Sequence, residues 1–202
     1  MEVSKTKRAG NNKFFSHKLN VLTVTVIGFL ALASFFLIRL YVQKKYIYPM
    51  KYGTEIITYA DKYGLERSMV FAIVKSESGF NVFAESNKGA KGLMQITVST
   101  ANYIAERLGF SDYDLFDAET NLEFGCYYMK YLITKFNYID TALVAYNAGE
   151  GKVYEWLSDS KYSIDGRTLR EIPYKESKEY VQKIYKTSLK YKKLYGDIVD
   201  KR

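Results

Sequence analysis

The chain has 202 residues, of which 48% are apolar and 26% are charged, a composition that excludes an intrinsically disordered protein. A single cysteine, Cys126, excludes an intrachain disulfide. The only histidine, His17, lies near the N-terminus, so the rest of the chain has no histidine-based metal site or catalytic triad. We therefore predict one globular domain plus an appendage, with no metal and no cofactor.

The positive charge is concentrated at the N-terminus. Residues 1–49 contain eight lysines and arginines against one glutamate, which accounts for +7 of the total net charge of +8. A basic protein often binds nucleic acid, but here the remainder of the chain is almost neutral. We therefore predict no nucleic-acid partner.

The first predicted element is a membrane anchor. Twenty uncharged residues, 19–38, separate Lys18 from Arg39, and a helix of that length matches a hydrocarbon core of about 30 Å. The apolar stretch runs into "IRLYVQKKYIY" without the small residues of a cleavage site, which favours an uncleaved anchor over a cleaved signal peptide. We predict a basic tail at 1–18, a transmembrane signal anchor at 19–38 in the lipid bilayer, and a juxtamembrane linker at 39–50.

The charges that flank this segment predict its orientation. Five lysines and arginines precede it in a short tail, and three follow it in the linker. Positive residues favour the cytoplasmic side of a membrane. The N-terminus is therefore predicted to be cytoplasmic, and the body of this single-pass protein to lie outside the cell membrane.

The body has a helical apolar pattern, with at most a small β element in the glycine-rich loop at 87–97. We predict a mainly α domain over 51–195 and a C-terminal tail over 196–202. The predicted helices cover six segments: 54–64, 66–79, 100–109, 121–136, 139–149 and 174–194.

Polar residues and glycines predict where some of these helices begin and end. Ser99 or Thr100 is a candidate for the start of the third helix. Asp140 is the candidate N-cap of the fifth, which Gly149 is expected to end. The segment "AYNAGEGK" therefore indicates one helix that turns tightly into another.

The end of the second predicted helix carries an acid after an apolar run. Phe71–Val74 lead to Glu77, which shares a helix face with Met69 and Ile73. Apolar neighbours and the negative end of the helix dipole would both raise the pKa of that carboxyl. A carboxylic acid that stays protonated near neutral pH is a general acid, as in glycoside cleavage. A partly exposed or ion-paired acid fits the same pattern, so spacing alone leaves both alternatives open.

Residues suited to a sugar-binding groove occur elsewhere in the chain. Its 20 tyrosines offer rings that stack and hydroxyls that form hydrogen bonds, and Gln95 and Asn147 add amides. Spacing does not establish that these side chains converge, and Asn147 would serve equally well as a helix cap.

Five motifs in order resemble a known family. They are "ESGF" (77–80), "GAKGLMQIT" (89–97), "LFDAETNLEFGCYYMKYLI" (115–133), "AYNAGEGKV" (145–153) and "IPYKESKEYVQKI" (172–184). Together they resemble the catalytic domain of the soluble-lytic-transglycosylase family, which has a lysozyme-like fold. The resemblance covers roughly residues 55–190, almost the whole body.

The resemblance implies an enzyme that acts on peptidoglycan glycan strands for cell-wall remodelling. It implies non-hydrolytic cleavage between N-acetylmuramic acid and N-acetylglucosamine, leaving a 1,6-anhydro end, with Glu77 as the sole catalytic carboxylate. The substrate-binding positions it implies are Ser86, Met94, Gln95, Tyr146, Asn147, Glu176 and Tyr180.

The chain departs from the family pattern at two positions. Ser177 stands where threonine is commoner, and Val98 replaces a frequent proline.

Two alternative functions remain open. One alternative is a hydrolase like goose-type lysozyme, in which an aspartate activates water, with Asp112, Asp114 or Asp117 as candidates. The other is a non-enzymatic module that binds the cell wall or assists an assembly.

Overall fold

The computed structural model describes residues 3–200, with side chains for Asn20 and from Leu22 onward. The chain forms two compact units, Met1–Pro49 and Met50–Arg202. The side chains of the predicted basic tail, residues 1–18, lie outside the described part, as do residues 201 and 202 of the predicted C-terminal tail.

The N-terminal unit is one long helix, α1 (Val3–Val42), followed by a π-helical turn at Gln43–Ile47. From Leu22 onward its large apolar side chains are exposed, and Leu22–Ile47 is long and apolar enough to cross a membrane by length and composition. Thr25 donates its hydroxyl hydrogen bond to the carbonyl of Leu22 at 2.8 Å, so this polar side chain is satisfied within its own helix. These properties agree with the predicted apolar anchor helix.

Over residues 50–200 the second unit has seven helices, so the predicted mainly α class is confirmed. They are α2 (Gly53–Lys62), α3 (Arg67–Glu77), α4 (Val98–Leu108), α5 (Ala118–Phe136), α6 (Ile139–Ala148), α7 (Glu150–Leu157) and α8 (Lys175–Val199). Within residues 3–200 the only β structure is a pair of isolated bridges, Glu85 with Lys91 and Lys91 with Ile96. This is the small β element expected in the glycine-rich loop.

Several helix boundaries differ from the prediction. Helix α4 begins at Val98 because the Thr97 hydroxyl accepts the Thr100 N–H at 3.3 Å, so the cap precedes both Ser99 and Thr100. The predicted cap at Asp140 is wrong. Asp140 lies in the first turn of α6, where it accepts a hydrogen bond of 2.6 Å from the Tyr185 hydroxyl.

Helices α6, α7 and α8 can be compared with the sequence prediction at their ends. Gly149, with φ of 91°, ends α6 and α7 begins at the next residue, as "AYNAGEGK" indicated. Helix α8 is kinked at Tyr195, whose backbone is not helical, and a helical turn after the kink runs to the buried Val199. Residues 196–199 of the expected tail are therefore helical.

Helix α3 lies at the centre of the core. Its residues Val70–Val74 are all fully buried, and burial of a valine, isoleucine or phenylalanine side chain contributes about 1.5–3 kcal/mol relative to an exposed one. It packs along α8, where the rings of Phe71 and Tyr191 stack at 5.1 Å between centroids. The last residue of this buried helix is Glu77, which the core therefore holds in place.

Candidate active site

Glu77 lies where α3 ends and the chain turns sharply. Gly79 and Phe80 both have left-handed backbones, with φ of 59° and 67°. For a bulky residue such as Phe80 this conformation is strained, and strain of this kind clusters at functional sites. The turn leaves the Glu77 side chain half-buried at the surface of the core.

The Ser78 side chain links the end of α3 to the glycine-rich loop by hydrogen bonds. Its hydroxyl oxygen lies 2.8 Å from the Leu93 carbonyl oxygen and 3.1 Å from that of Val74. The same oxygen accepts the N–H of Phe80 at 3.1 Å. Three backbone groups are therefore held by one side chain next to Glu77.

Asn121, the fourth residue of α5, holds the glycine-rich loop in its conformation through hydrogen bonds. This fully buried amide accepts the N–H of Met94 at 2.7 Å and donates to the carbonyls of Lys91 at 2.9 Å and Leu115 at 2.8 Å. Gly92 makes room for it, because a Cβ there would lie 2.2 Å from the Asn121 amide nitrogen. The loop conformation thus depends on α5 as well as on its own glycines.

Met94 sits in the core, although a groove-lining position was predicted. Its side chain is fully buried and packs on Gly125, where a Cβ would lie 2.3 Å from the Met94 sulfur. A buried side chain in this conformation does not contact a sugar. The carbonyl of Met94 instead accepts a 2.7 Å hydrogen bond from the Tyr146 hydroxyl, so it positions that ring.

Gln95 and Ser86 both belong to the loop and stabilise it. Gln95 has φ of 51°, and its side-chain amide donates to the carbonyls of Ala84 at 3.1 Å and Gly92 at 3.0 Å. Ser86 forms a turn with Ala90, with backbone and side-chain hydrogen bonds of 2.9 and 3.1 Å. Both side chains are half-buried.

Asn147 connects α6 to α8. Its side-chain carbonyl accepts a 2.8 Å hydrogen bond from the hydroxyl of Ser177, which is buried. The serine that replaces the commoner threonine therefore keeps the hydroxyl in use. Glu176, by contrast, is exposed in the first turn of α8 and forms no hydrogen bond or ion pair within residues 3–200.

Tyr180 faces Glu77 from α8. Its hydroxyl is buried and has no partner with hydrogen-bond geometry in the described part of the chain, yet it lies close enough to lower the pKa of Glu77. One turn further along α8, the Lys183 ammonium lies 3.5 Å from the Ser76 carbonyl oxygen. A hydroxyl donor and a cation thus flank the carboxyl.

The pKa of Glu77 is raised, in the direction expected from the sequence. Burial is the largest cause, and the Tyr180 hydroxyl and the Lys183 ammonium oppose it. Burial and the neighbouring Glu77 carboxylate also raise the pKa of the Tyr146 and Tyr180 hydroxyls well above their usual range. Both hydroxyls therefore stay protonated as donors, while the raised pKa favours the protonated form of Glu77 more than in an exposed glutamate.

The chain is similar to proteins of a known family. The family model described as the transglycosylase SLT domain matches residues 54–165, more than half of the chain. The chain belongs to this family. The matched range of the SLT domain contains Glu77 and the glycine-rich loop but ends before α8, so Tyr180 and Lys183 lie outside it, and the structure brings both of them to Glu77.

Relatives of the SLT domain include soluble and membrane-bound proteins. The soluble lytic murein transglycosylase of Escherichia coli K12 is 33% identical over 156 residues, covering 74% of this chain and 24% of that protein. The membrane-bound lytic murein transglycosylase C of Serratia proteamaculans is 29% identical over 170 residues, covering 71% of this chain and 47% of that protein. The chain thus spans about a quarter of the length of the soluble relative.

Solved structures give the same picture. The 70 kDa soluble lytic transglycosylase of Escherichia coli superposes with a TM-score of 0.63 at 28% identity, over 75% of this chain and 25% of that one. An inactive mutant of the Pseudomonas aeruginosa lytic transglycosylase Slt superposes with a TM-score of 0.62 at 30% identity, over 72% and 24% of the two chains. The lysozyme-like fold expected from the sequence is thereby confirmed.

Three residues that shape the site were not singled out from the sequence. Asn121 and Gly125 lie within the predicted helix 121–136 and Lys183 within the predicted helix 174–194, and none of them was given a role. Their contacts join segments far apart in the chain, which periodicity does not detect. The only available signal was the position of Asn121 and Gly125 within a family motif.

No cluster of three or more histidine, cysteine, aspartate or glutamate residues that could hold a metal occurs within residues 3–200. A cavity of about 660 Å³ lies at the other end of α3, where Asp61 pairs with Arg67 and Glu66 pairs with Lys192. Four of its five charged side chains form these ion pairs, and none of the predicted site residues lines it. The chemistry therefore concentrates at Glu77.

Proposed function

We propose that this chain is a membrane-anchored lytic transglycosylase that cleaves the β-1,4 bond between N-acetylmuramic acid and N-acetylglucosamine in peptidoglycan. The observation that carries the proposal is the half-buried Glu77 carboxyl with a raised pKa, held between Tyr180 and Lys183 within an SLT domain. The relatives named as lytic murein transglycosylases support the same assignment.

Glu77 acts first as an acid and then as a base. Its proton goes to the glycosidic oxygen as the bond from that oxygen to the anomeric carbon breaks. The resulting carboxylate then accepts the proton of the muramoyl 6-hydroxyl, whose oxygen forms a new bond to the same anomeric carbon. The product is a 1,6-anhydro end, Glu77 regains its proton, and no water is consumed.

The neighbouring hydroxyls have separate roles in this cycle. Tyr180 donates to the Glu77 carboxylate formed midway, because its own pKa is too high for it to ionise. Tyr146 is fixed by the Met94 carbonyl and orients the sugar beside the acid. Met94, which the resemblance gave as a substrate-binding position, therefore contributes through its backbone carbonyl.

The remaining candidates bind the glycan. Gln95 uses its side-chain nitrogen within the loop, which leaves its carbonyl oxygen for the sugar. Asn147 uses its carbonyl for Ser177 and so presents its amide nitrogen. Ser86 lies on the loop turn, and exposed Glu176 contributes at the rim of the site. None of these roles needs a cofactor.

The transglycosylase reaction is favoured over hydrolysis by the charges around Glu77. A hydrolytic glycosidase ordinarily needs a second carboxylate. Within residues 3–200 the groups that influence Glu77 are a hydroxyl and an ammonium, and no carboxylate is among them. The three candidate aspartates accept nearby backbone N–H groups in the connection before α5: Asp112, Asp114 and Asp117.

We propose that α1 anchors the chain in a membrane through residues 19–38, which the length and apolar composition of this helix support. The positive charges that precede this segment favour an N-terminus in the cytoplasm and an SLT domain outside. Membrane-bound relatives carry domains of the same family. Protease added to cells whose outer wall has been removed should degrade the SLT domain while the membrane stays sealed. A domain protected under these conditions would reverse the orientation.

Loss of the acid tests the proposal. Glu77→Gln should reduce the release of muropeptides from purified peptidoglycan by about 10²–10⁴-fold, the usual contribution of a general acid. Glu179→Gln on exposed α8, where Glu179 forms a loose ion pair of 3.7 Å, is the matched control and should retain activity. Equal release by Glu77→Gln and the parent chain would overturn the assignment, and no release by either would favour a wall-binding module.

A further inference from the structure

The middle of α8 carries a dense positive charge. Between Glu179 and Asp197 the chain has five lysines and no acidic residue. Residues 1–49 account for +7 of the net charge of +8, so residues 50–202 carry +1. Because the segment between Glu179 and Asp197 carries +5, the rest of residues 50–202 carries −4. The positive charge of the SLT domain is therefore concentrated on one helix.

Two of these five lysines have partners within the domain. Lys192 pairs with Glu66 at 3.1 Å, and Lys183 lies beside the Ser76 carbonyl next to the candidate active site. The other three form no hydrogen bond or ion pair within residues 3–200: Lys186, Lys190 and Lys193. Like charges three or four residues apart on a helix repel each other. Contacts within the domain therefore do not explain this arrangement.

An apolar side chain lies among the three lysines. Leu189 is 64% exposed, and it follows Lys186 by three residues and precedes Lys193 by four, so all three share the outer face of α8. The opposite face of α8 is buried and packs against α3 and α6. Leu189 and the three lysines, with half-buried Lys190 at the edge, form the lysine face.

A membrane leaflet with anionic lipids complements both properties of the lysine face. Its headgroups attract ammonium groups, and each lysine close to such a surface favours attachment by about fivefold. The boundary between headgroups and acyl chains accepts an apolar side chain such as that of Leu189. A soluble polyanion would attract the lysines equally well, but it offers no apolar layer for the leucine.

The chain itself brings the SLT domain near such a surface. Five residues, 48–52, connect the apolar segment Leu22–Ile47 with α2. Five residues span at most about 18 Å when fully extended. A membrane that holds the apolar segment therefore lies within reach of the domain. Attachment then occurs within one molecule, where a weak attraction is sufficient because the effective concentration is high.

We propose that the lysine face docks on the anionic headgroups of the membrane in which the chain is anchored, with Leu189 inserted among the lipids. The remainder of the domain is negatively charged and is repelled by the same headgroups. Docking thereby determines which side of the SLT domain faces the membrane. The proposal rests on the proposed membrane anchoring and is independent of the reaction at Glu77.

The chemical reactivity of the native lysines tests this docking. The full chain is placed in lipid nanodiscs of phosphatidylcholine, with or without phosphatidylglycerol, and is acetylated briefly before mass spectrometry. The three lysines of the lysine face should react about 3- to 10-fold more slowly in the anionic discs. Their reactivity should recover in 1 M salt, which screens charges beyond about 3 Å. Lys88 and Lys130, which are exposed elsewhere, should react equally in both discs.

Tryptophan fluorescence gives a second readout. Lipids brominated in their acyl chains should quench Leu189→Trp in the anionic discs, while Trp156, which is 6% exposed, gives a constant background. Quenching should fall to the level in phosphatidylcholine discs when three further substitutions are added: Lys186→Gln, Lys190→Gln and Lys193→Gln. It should persist when the same charge is removed elsewhere by the control set: Lys88→Gln, Lys130→Gln and Lys161→Gln.

The outcomes separate docking from anchoring and from catalysis. Equal acetylation in both discs, for a chain that remains in them, would overturn the docking and leave the anchor intact. A chain that enters neither disc would overturn the anchoring and the docking together. Protection by soluble poly(glycerol phosphate) but not by anionic discs would assign the lysine face to an anionic polymer instead. Docking by a chain that proves inactive on peptidoglycan would support this proposal while the reaction fails.

Discussion

The buried hydroxyl of Tyr180 lowers the stability of the protein but serves the reaction at Glu77. A buried polar group without a hydrogen-bond partner destabilises a protein by about 1–3 kcal/mol. Tyr180 has such a hydroxyl, and its position beside Glu77 gives the hydroxyl a stronger acceptor when that carboxyl ionises in the reaction. The Tyr180 hydroxyl thus lowers the stability of the folded protein, but it is already in position to donate a hydrogen bond to the Glu77 carboxylate.

Tyr180→Phe should therefore stabilise the protein and impair catalysis. The free energy of unfolding should rise by about 1 kcal/mol, measured by thermal unfolding, while kcat falls about 10-fold or more through one lost hydrogen bond to a carboxylate. Tyr185→Phe is the matched control, because its hydroxyl has a 2.6 Å bond to Asp140 and its removal should destabilise. Equal destabilisation by both variants would mean that the Tyr180 hydroxyl is already paired.

The same variant has a signed effect on pH dependence. The Tyr180 hydroxyl lowers the pKa of Glu77, so its removal raises that pKa. The enzyme needs Glu77 protonated at the first step, and activity falls as pH rises through its pKa. The alkaline limb of the kcat/KM profile should therefore move to higher pH in Tyr180→Phe. An unchanged or lowered limb would contradict this account of the Glu77 environment.

At the scale of the element, α5 shapes the site more than its sequence suggests. Glycine inside a helix is less favourable than alanine by about 1 kcal/mol, so Gly125 should be replaceable in an isolated helix. In the folded chain it lies against Met94, whose sulfur would be 2.3 Å and whose Cβ would be 2.7 Å from an added Cβ. Packing against the loop outweighs helix propensity at this position.

Gly125→Ala should lower the free energy of unfolding by about 1–3 kcal/mol, as overpacking does, and reduce activity because a displaced Met94 carbonyl no longer holds Tyr146. Gly151→Ala in α7, where nothing lies within 4 Å, should leave stability unchanged or raise it by up to about 1 kcal/mol. Urea unfolding of both variants measures the contrast. A Gly125→Ala protein as stable as Gly151→Ala would show that Met94 moves aside without cost.

The helices were predictable and some of their connections were not. Apolar periodicity placed α3, α5 and α8, since each buries a continuous stripe. The boundary at Thr97 and the failed cap at Asp140 depend on which of several nearby polar residues finds a partner, and Asp140 found one in α8. A local sequence pattern does not show which partner, distant in the chain, a polar side chain will bind.

For the whole molecule, the sequence placed an apolar segment before a catalytic domain, and the structure divides the chain at Pro49. The acid at the end of an apolar helix was predictable from local physics. Its neighbours were not, because Tyr180 and Lys183 reach it from α8, more than a hundred residues later in the chain. Family motifs supplied Tyr180, and only the fold supplied Lys183.

The central claim is that Glu77 directs an intramolecular attack with no water consumed. Digestion of peptidoglycan by the full chain in water enriched in heavy oxygen tests it directly, with the released muropeptides weighed by mass spectrometry. We expect products lighter by one water than their hydrolytic counterparts and free of the heavy isotope. Muropeptides with reducing ends that carry heavy oxygen at the anomeric carbon would contradict the account.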